Sequence, residues 1–171
     1  MEGHFQLASG KHSPVYVEKF RVLQNPQPTA TLCQMIAERF RALEPQLVAG
    51  PTTGGIIVSY EVARLLGLRG IFAEKSDAGR AFQRGFVVGP GERTLIVDDV
   101  LTTGGSLREV IEAVRQAGGE PIGVGVLVDR RGQPSSEEFG LPFFACLTLG
   151  LPTYNPPECP LCATGAPLKV T

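Results

Sequence analysis

Two adjacent carboxylates, Asp98 and Asp99, stand between an apolar run, Leu95-Ile96-Val97, and a hydroxyl- and glycine-rich stretch, Val100-Leu101-Thr102-Thr103-Gly104-Gly105-Ser106. Leu107, Val110, Ile111 and Val114 follow at i, i+3, i+4 and i+7, the period of an amphipathic helix. The spacing predicts a strand, an acidic tip and a helix N-terminus in succession. Thr102 to Ser106 would then present backbone N–H groups without helical partners, and the helix dipole adds roughly half a positive charge there. Glycines at 104 and 105 let the backbone turn with positive φ and approach an anion without a Cβ in the way. The carboxylates would repel a bare phosphate. They suit a ligand that also brings hydroxyls or a hard divalent cation, and a sugar phosphate has both halves. The plain alternative is an ordinary strand-to-helix crossover with an exposed acidic tip.

The elements that must position these groups can be read outward from them. Asn25-Pro26 and Pro28 start a helix over Thr29 to Leu43, with Leu32, Ile36, Phe40 and Leu43 on one face. Leu47 to Ala49 is a short buried strand running into Gly50-Pro51-Thr52-Thr53-Gly54-Gly55. Ile56, Ile57, Tyr60, Ala63 and Leu66 carry the next helix, closed by Gly67. Gly70 to Glu74 and Phe86 to Val88 are further apolar segments, separated by the polar, aperiodic stretch 75–85, which reads as a surface loop or a lid. Gly118-Gly119 stops the helix that follows Ser106. Ile122 to Val128 is a strongly apolar strand ending in Asp129-Arg130-Arg131-Gly132, and Leu141 to Leu149 is another. Alternating strands and helices predict an α/β, doubly wound, mostly parallel sheet, whose ligands gather at the carboxyl ends of its strands. Around Phe5 to Leu7 and Val15 to Val17 the N-terminal segment alternates across a Gly/Pro break, as two short antiparallel strands would. The proline-rich stretch 150–171 reads as irregular.

Bulk numbers bound the rest. With 171 residues, the chain is one domain long and can bury about 70% of its unfolded surface. A net charge of −1, with acidic and basic residues interleaved, offers no stripe for a nucleic-acid backbone. No apolar run approaches the roughly 20 residues of a membrane span, and Met1 to Gly10 has no signal-peptide pattern. The expectation is a cytoplasmic protein.

The pattern from Thr94 to Ser106 resembles the phosphoribosyl-pyrophosphate (PRPP) signature of the type I phosphoribosyltransferases. Gly3-His4-Phe5 through Ser9-Gly10-Lys11-His12-Ser13-Pro14 is similar to the hood of the members of that family that use orotate. The resemblance covers nearly the whole chain. It implies a single domain, 1–171, with a hood at about 1–25 and a mobile active-site loop at about 75–85. It further implies transfer of a phosphoribosyl group to orotate with release of pyrophosphate, giving orotidine 5′-monophosphate for UMP synthesis.

By the same resemblance, Asp98 and Asp99 hold the ribose hydroxyls and, through water, Mg²⁺, while Val100, Leu101, Thr102, Thr103, Gly104, Gly105 and Ser106 wrap the 5′-phosphate. Thr52, Thr53, Gly54 and Gly55 receive the pyrophosphate. Tyr16, Val17, Thr102 and Arg130 meet orotate, Arg130 by a bidentate fork. Lys75 and Arg80, with the two aspartates, are expected to carry catalysis, and a homodimer closes each loop over the neighbouring site. A solvated charge is the other reading of Arg80 and Arg130.

The chain departs from the family where Ala8 and Gly54 replace lysines and Glu74 replaces an arginine. Arg80 and Arg84 are the substitutes in view, and Lys11 is another. A purine-base phosphoribosyltransferase or a non-catalytic PRPP sensor are the alternatives.

Four cysteines remain. Cys33 and Cys146 fall in a helix and a strand, as small buried hydrophobes. Cys159-Pro-Leu-Cys162 is half of a zinc-knuckle spacing with no second CxxC or His pair beside it in sequence. Reduced structural thiols are expected, a metal shared across a dimer being the other reading. His4 and His12 read as surface or hydrogen-bonded hood histidines.

Overall fold

A computed structural model describes residues 1–7, 9–77, 79–132 and 139–170. Ala8, one of the departures from the family pattern, lies outside the described residues. The chain divides into two compact units, one made of Met1–Glu18 and Gly150–Thr171, the other of Lys19–Leu149.

The larger unit is a six-stranded sheet. Its elements are α1 (Phe20–Leu23), α2 (Pro26–Arg41), β3 (Leu47–Pro51), α3 (Gly54–Leu66), β4 (Arg69–Ser76), β5 (Gly79–Phe82), β6 (Arg93–Leu101), α4 (Gly105–Gln116), β7 (Glu120–Asp129) and β8 (Phe143–Thr148), with β1 and β2 left to the smaller unit. The strand order is β5-β4-β3-β6-β7-β8. Every neighbouring pair is parallel except β4–β5. The doubly wound expectation is met.

Side chains alternate along the strands and so feed two cores. Leu47, Ala49, Ile96, Val124 and Val126 pack with Leu107, Val110, Ile111 and Val114 of α4. Val48, Leu95, Val97 and Leu127 pack on the other side with Ile36, Ala37 and Phe40 of α2 and Val58 and Val62 of α3. The helical stripe read after Ser106 is therefore buried in full. Cys33 is buried in the second core, and that burial pushes its thiol up to about 12. Gly118 (φ +88) ends α4 as expected, with the Gly119 N–H donating to the Val114 carbonyl at 2.9 Å.

Two expectations for this unit change. The stretch 75–85 is not without structure: β4 runs on through Lys75 and Ser76 and turns back as β5, with Glu74 opposite Ala81 and Lys75 opposite Arg80. A backbone ladder, Phe82 packed on the core and polar cross-strand pairs hold this hairpin. Arg84 closes a two-bonded fork on Glu74 (2.9 and 2.8 Å), and Arg80 is buried. Phe86 to Val88 forms no strand; Phe86 instead sets its ring edge-to-face on Phe72 at 5.0 Å.

The smaller unit joins both ends of the chain. β1 (Glu2–Gln6) pairs antiparallel with β2 (His12–Val15), as read, and parallel with β9 (Leu168–Val170), which was not. The segment 150–171 is thus not irregular: it carries a 3₁₀ turn (Pro156–Glu158), α5 (Pro160–Ala163) and β9. The hood boundary moves as well, because Lys19 to Gln24 belong to the larger unit. Tyr16 packs its ring on Phe5, centroids 5.6 Å apart.

Two glycines of β7 record how tightly α2 lies on the sheet. A Cβ at Gly125 would stand 2.6 Å from Ile36 Cγ2, and one at Gly123 2.6 Å from the Phe40 ring. Gly125→Ala is expected to overpack this contact and lower the stability of the chain by about 1–3 kcal/mol in denaturant titration. An unchanged midpoint would show that α2 can shift without cost.

Candidate functional site

β6 is longer than its neighbour β3. The two pair only as far as Ala49 opposite Ile96, whereas β6 continues beside β7 to Leu101 opposite Asp129. Asp98 and Asp99 therefore do not form a tip after the strand, as the sequence suggested. They lie inside it, with β7 on one side and the end of β3 on the other. Both are buried, at 8% and 3% exposure.

The turn leaving β3 fills the space that β3 vacates. A Cβ on Gly54 would fall on the Asp99 carboxylate, and a Cβ on Gly55 would stand 2.7 Å from Pro51 and 3.1 Å from Asp98 Oδ1. Only a backbone without side chains fits against the pair. A side chain at Gly54 would displace the Asp99 carboxylate. The Thr52–Thr53 peptide in this turn is cis.

Each carboxylate finds local donors. Asp98 Oδ1 accepts from the Asp99 N–H at 2.8 Å, and Asp99 Oδ1 from the Val100 N–H at 2.6 Å. Lys19 places its ammonium 2.8 Å from Asp99 Oδ2 and 3.2 Å from Oδ1. Sequence reading missed Lys19; it precedes a one-turn helix 80 residues away and belongs to no motif. Asp98 has no such cation in contact. Its burial, and then the neighbouring Asp99, push its carboxyl up to about 8.

Beyond β6 the chain forms a cup. Asp98, Val100, Leu101 and Thr102 to Leu107 line a hollow of ≈ 40 Å³, room for about three waters or one phosphate group. Gly104 takes the left-handed conformation (φ 79) and starts α4, whose first-turn N–H groups and dipole favour an anion. Thr102 to Ser106 thus line the hollow at the start of α4.

Arg80 ties the two loops together. Nη1 donates to Thr52 Oγ1 and to the Ala73 carbonyl, both at 3.1 Å, Nη2 to the Thr52 carbonyl at 3.4 Å and to Ser106 Oγ at 3.3 Å, and Nε lies 3.2 Å from Glu109 Oε2. It is 6% exposed. Neither a solvated charge nor a mobile phosphate ligand describes such a side chain. It is a clamp between the β3 turn and the start of α4. Arg84 is paired with Glu74, and Lys75 is exposed on β4.

At the end of β7, Asp129 is fully buried and receives Arg131, whose Nε and Nη2 reach its two oxygens at 2.9 Å. Arg130 is 8% exposed, not a solvated strand-end charge, and its N–H donates to the Leu101 carbonyl at 3.0 Å. The larger unit thus brings Thr52 to Gly55, Asp98 to Ser106 and Arg130 to the ends of adjacent strands. Tyr16 and Val17 lie in the smaller unit.

The raised Asp98 carboxyl has a consequence for stability. Between the ordinary value of 3.8 and about 8 the folded chain keeps a proton that the unfolded chain has released, so stability falls as pH rises through that window and levels off above it. Asp98→Asn preserves the neutral shape. Its thermal midpoint is expected to exceed that of the wild type, by an amount that grows from pH 5 to pH 8, at about 2–4 °C for each kcal/mol. Equal differences at the two pH values would contradict the assignment.

Residues 21–144 match the family model described as the phosphoribosyl transferase domain. The chain is 50% identical over 167 residues to the orotate phosphoribosyltransferase of Desulforamulus reducens, covering 98% of this chain and 86% of that relative. It is 44% identical over 169 residues to that of Thermotoga petrophila, covering 99% and 89%. Among solved structures, the Mycobacterium tuberculosis orotate phosphoribosyltransferase in complex with Fe(III) dicitrate superposes with a TM-score of 0.72 at 27% identity, covering 87% of this chain and 89% of that one. The larger unit's sheet, its buried aspartate pair and these matches agree, and the chain belongs to the phosphoribosyltransferase family.

Proposed function

We infer that the chain transfers the phosphoribosyl group of PRPP to orotate, giving orotidine 5′-monophosphate and pyrophosphate, the orotate step of UMP synthesis. The observation that carries this is the meeting, at the ends of β3 and β6, of a phosphate-sized cup, a buried carboxylate pair and a side-chain-free turn, in a chain 44–50% identical to orotate phosphoribosyltransferases over nearly its full length. The adenine phosphoribosyltransferase of Thermoanaerobacter pseudethanolicus, at 20% identity and a TM-score of 0.66, shares the fold alone.

In this reading the 5′-phosphate sits in the cup of Val100 to Ser106, its charge met by the N–H groups that open α4. Asp98 and Asp99 accept hydrogen bonds from the ribose 2′ and 3′ hydroxyls. Thr52 to Gly55 receive the pyrophosphate through backbone N–H groups, with Lys75 as the nearest exposed cation along β4. Orotate meets Thr102 and the guanidinium of Arg130, whose planar fork matches a carboxylate. As the bond from C1′ to pyrophosphate stretches, positive charge grows on the ribose, and the adjacent carboxylates stabilise it. No covalent nucleophile is required, so positioning and electrostatics supply the rate.

The oxygen-only donors of Asp98 and Asp99 suit Mg²⁺, with Asp99 already paired to the Lys19 ammonium. Mg²⁺ bound there through water would neutralise the diphosphate. Arg80 acts at one remove, as a positioning residue that keeps the pyrophosphate turn and the phosphate cup in register. Closure of the β4–β5 hairpin over the site of a second copy, in a cytoplasmic homodimer, completes the proposal. Among the described residues no helix is long and apolar enough to cross a membrane.

The test is loss of orotate absorbance with PRPP and Mg²⁺. Turnover is expected with orotate and not with adenine, guanine or hypoxanthine; the reverse would favour a purine enzyme, and none with any base a PRPP sensor. Asp98→Asn with Asp99→Asn should lower kcat/KM by about a thousandfold, the scale of losing a preorganised charge partner. Near-wild-type activity would remove the aspartates from the ribose site. Gly54→Ala, which sets a methyl on the Asp99 carboxylate, is expected to cut kcat/KM by about a hundredfold while the circular dichroism spectrum is unchanged.

A further inference from the structure

The smaller unit holds a cluster that phosphoribosyl transfer does not use. His4, on β1, and His12, at the start of β2, face each other across the hairpin, Nε2 of the first 3.0 Å from Nδ1 of the second. Cys159 caps α5 and Cys162 lies in its first turn, so the CxxC spacing puts both sulfurs on one side of the turn. Cys159 Sγ is 3.5 Å from His4 Nε2, and Cys162 Sγ is 3.7 Å from His4 Nε2 and 3.3 Å from His12 Nδ1. All four donor atoms lie within 4.8 Å of one another. The His pair missing from the sequence neighbourhood of the CxxC is supplied by the other end of the chain.

These separations are those of a coordination shell. Four ligands arranged tetrahedrally at about 2.3 Å for sulfur and 2.0–2.1 Å for nitrogen stand about 3.3 Å apart for two nitrogens, 3.6 Å for nitrogen and sulfur, and 3.8 Å for two sulfurs. The nitrogen–sulfur edges of 3.3, 3.5 and 3.7 Å bracket 3.6 Å, and the nitrogen–nitrogen edge of 3.0 Å is somewhat shorter than the tetrahedral value. A second layer is also in place. His4 Nδ1 is 2.9 Å from the Ala166 carbonyl, which can only accept, so Nδ1 carries the proton and the Nε2 lone pair points into the cluster. The backbone of His12 is held by two hydrogen bonds with Tyr154, its N–H donating at 2.9 Å and its carbonyl accepting at 2.8 Å.

Burial argues the same way. His4, His12 and Cys159 are 4%, 4% and 3% exposed, while Cys162 opens to solvent. Among the described residues of this unit, Phe5 is the one large apolar side chain that is fully buried. Apart from Ser13, whose hydroxyl bonds to the Val15 and Pro152 carbonyls, the buried polar groups there are two imidazoles and a thiol, costly to remove from water unless something satisfies them together. A hydrogen-bonded histidine pair accounts for one proton between two rings, not for two sulfurs converging on the same point.

We propose that His4, His12, Cys159 and Cys162 form a structural site for a divalent transition ion with borderline-soft preferences, Zn²⁺ fitting best. Two thiolates and two neutral imidazoles around a dication leave no net charge in the buried site. Binding releases the two thiol protons. Four protein ligands leave no open position, so the ion ties the N-terminal hairpin to the C-terminal segment and takes no part in chemistry.

The full chain, produced in zinc-supplemented medium and desalted, is expected to carry about one zinc per chain by elemental analysis. Cys162→Ser, at the exposed ligand, should lower that content about tenfold or more; Cys162→His, which restores a nitrogen ligand, should recover it, and Cys146→Ser should leave it unchanged. Co²⁺ added to the zinc-free, reduced chain should give tetrahedral d–d bands with a thiolate charge-transfer band that Cys162→Ser weakens. Zinc far below one equivalent with no Co²⁺ bands would overturn the proposal. So would equal zinc in the wild type and Cys162→Ser, or a Cys159–Cys162 disulfide in metal-free protein purified without reductant.

Discussion

The larger unit is built around one electrostatic difficulty, the burial of two neighbouring carboxylates in a single strand. Like charges at that spacing, out of water, do not both stay ionised without help, and the strand deals with them differently. Asp99 takes the Lys19 ammonium, while Asp98 stays closer to its neutral form, its carboxyl pushed up to about 8. Burial of the pair is a consequence of topology. β6 overruns β3, so its backbone remains bonded to β7 while its other edge opens onto the β3 turn, and glycines at 54 and 55 bring that turn into contact. The buried pair is thus held at a cost in stability.

Most of the cations near these loops are paired locally. Lys19 is set against Asp99, while the turn at Gly54 brings no side chain to the pair. Across the β4–β5 hairpin, Arg84 and Glu74 form a neutral ion pair. Arg131 is absorbed by Asp129. Arg80 is the only one of these cations that spans two loops. Removing it would leave the Thr52 and Ala73 carbonyls without that donor and separate the β3 turn from Ser106, so its contribution is to geometry and not to net charge.

The sheet, its order of helices and strands, and the glycine turn that opens α4 were legible because each rests on local signals: a period of 3.6 from Leu107 to Val114, apolar runs at β3, β6 and β7, and glycines where the backbone turns. What escaped reading depended on partners far away in sequence. Lys19 belongs to no motif, and its role appears only where the fold brings it to Asp99. The 75–85 stretch shows no alternation because it packs a single large apolar side chain, Phe82, on the core and otherwise relies on its backbone ladder and polar cross-strand pairs. β9 is three residues with every side chain exposed, visible only through its pairing with β1. The end of β6 was misplaced by four residues since acidic side chains mark a strand's end on average, and here β7 carries the strand past them.

The smaller unit shows the same dependence on distance at its limit. It assembles roughly 40 residues from the two ends of the chain, a size at which folds usually rely on disulfides or metals. Among its described residues Phe5 is the one fully buried large apolar side chain, and the pairing of β1 with β2 and β9 leaves strand edges open to water. A structural zinc binds tightly enough, about 10–16 kcal/mol in small metal-dependent folds, to add substantially to the unit's stability. Because two ligands lie near residue 10 and two near residue 160, such an ion would act as the closure of the chain, and the hairpin that carries Tyr16 and Val17 would owe its order to four side chains that phosphoribosyl transfer never touches.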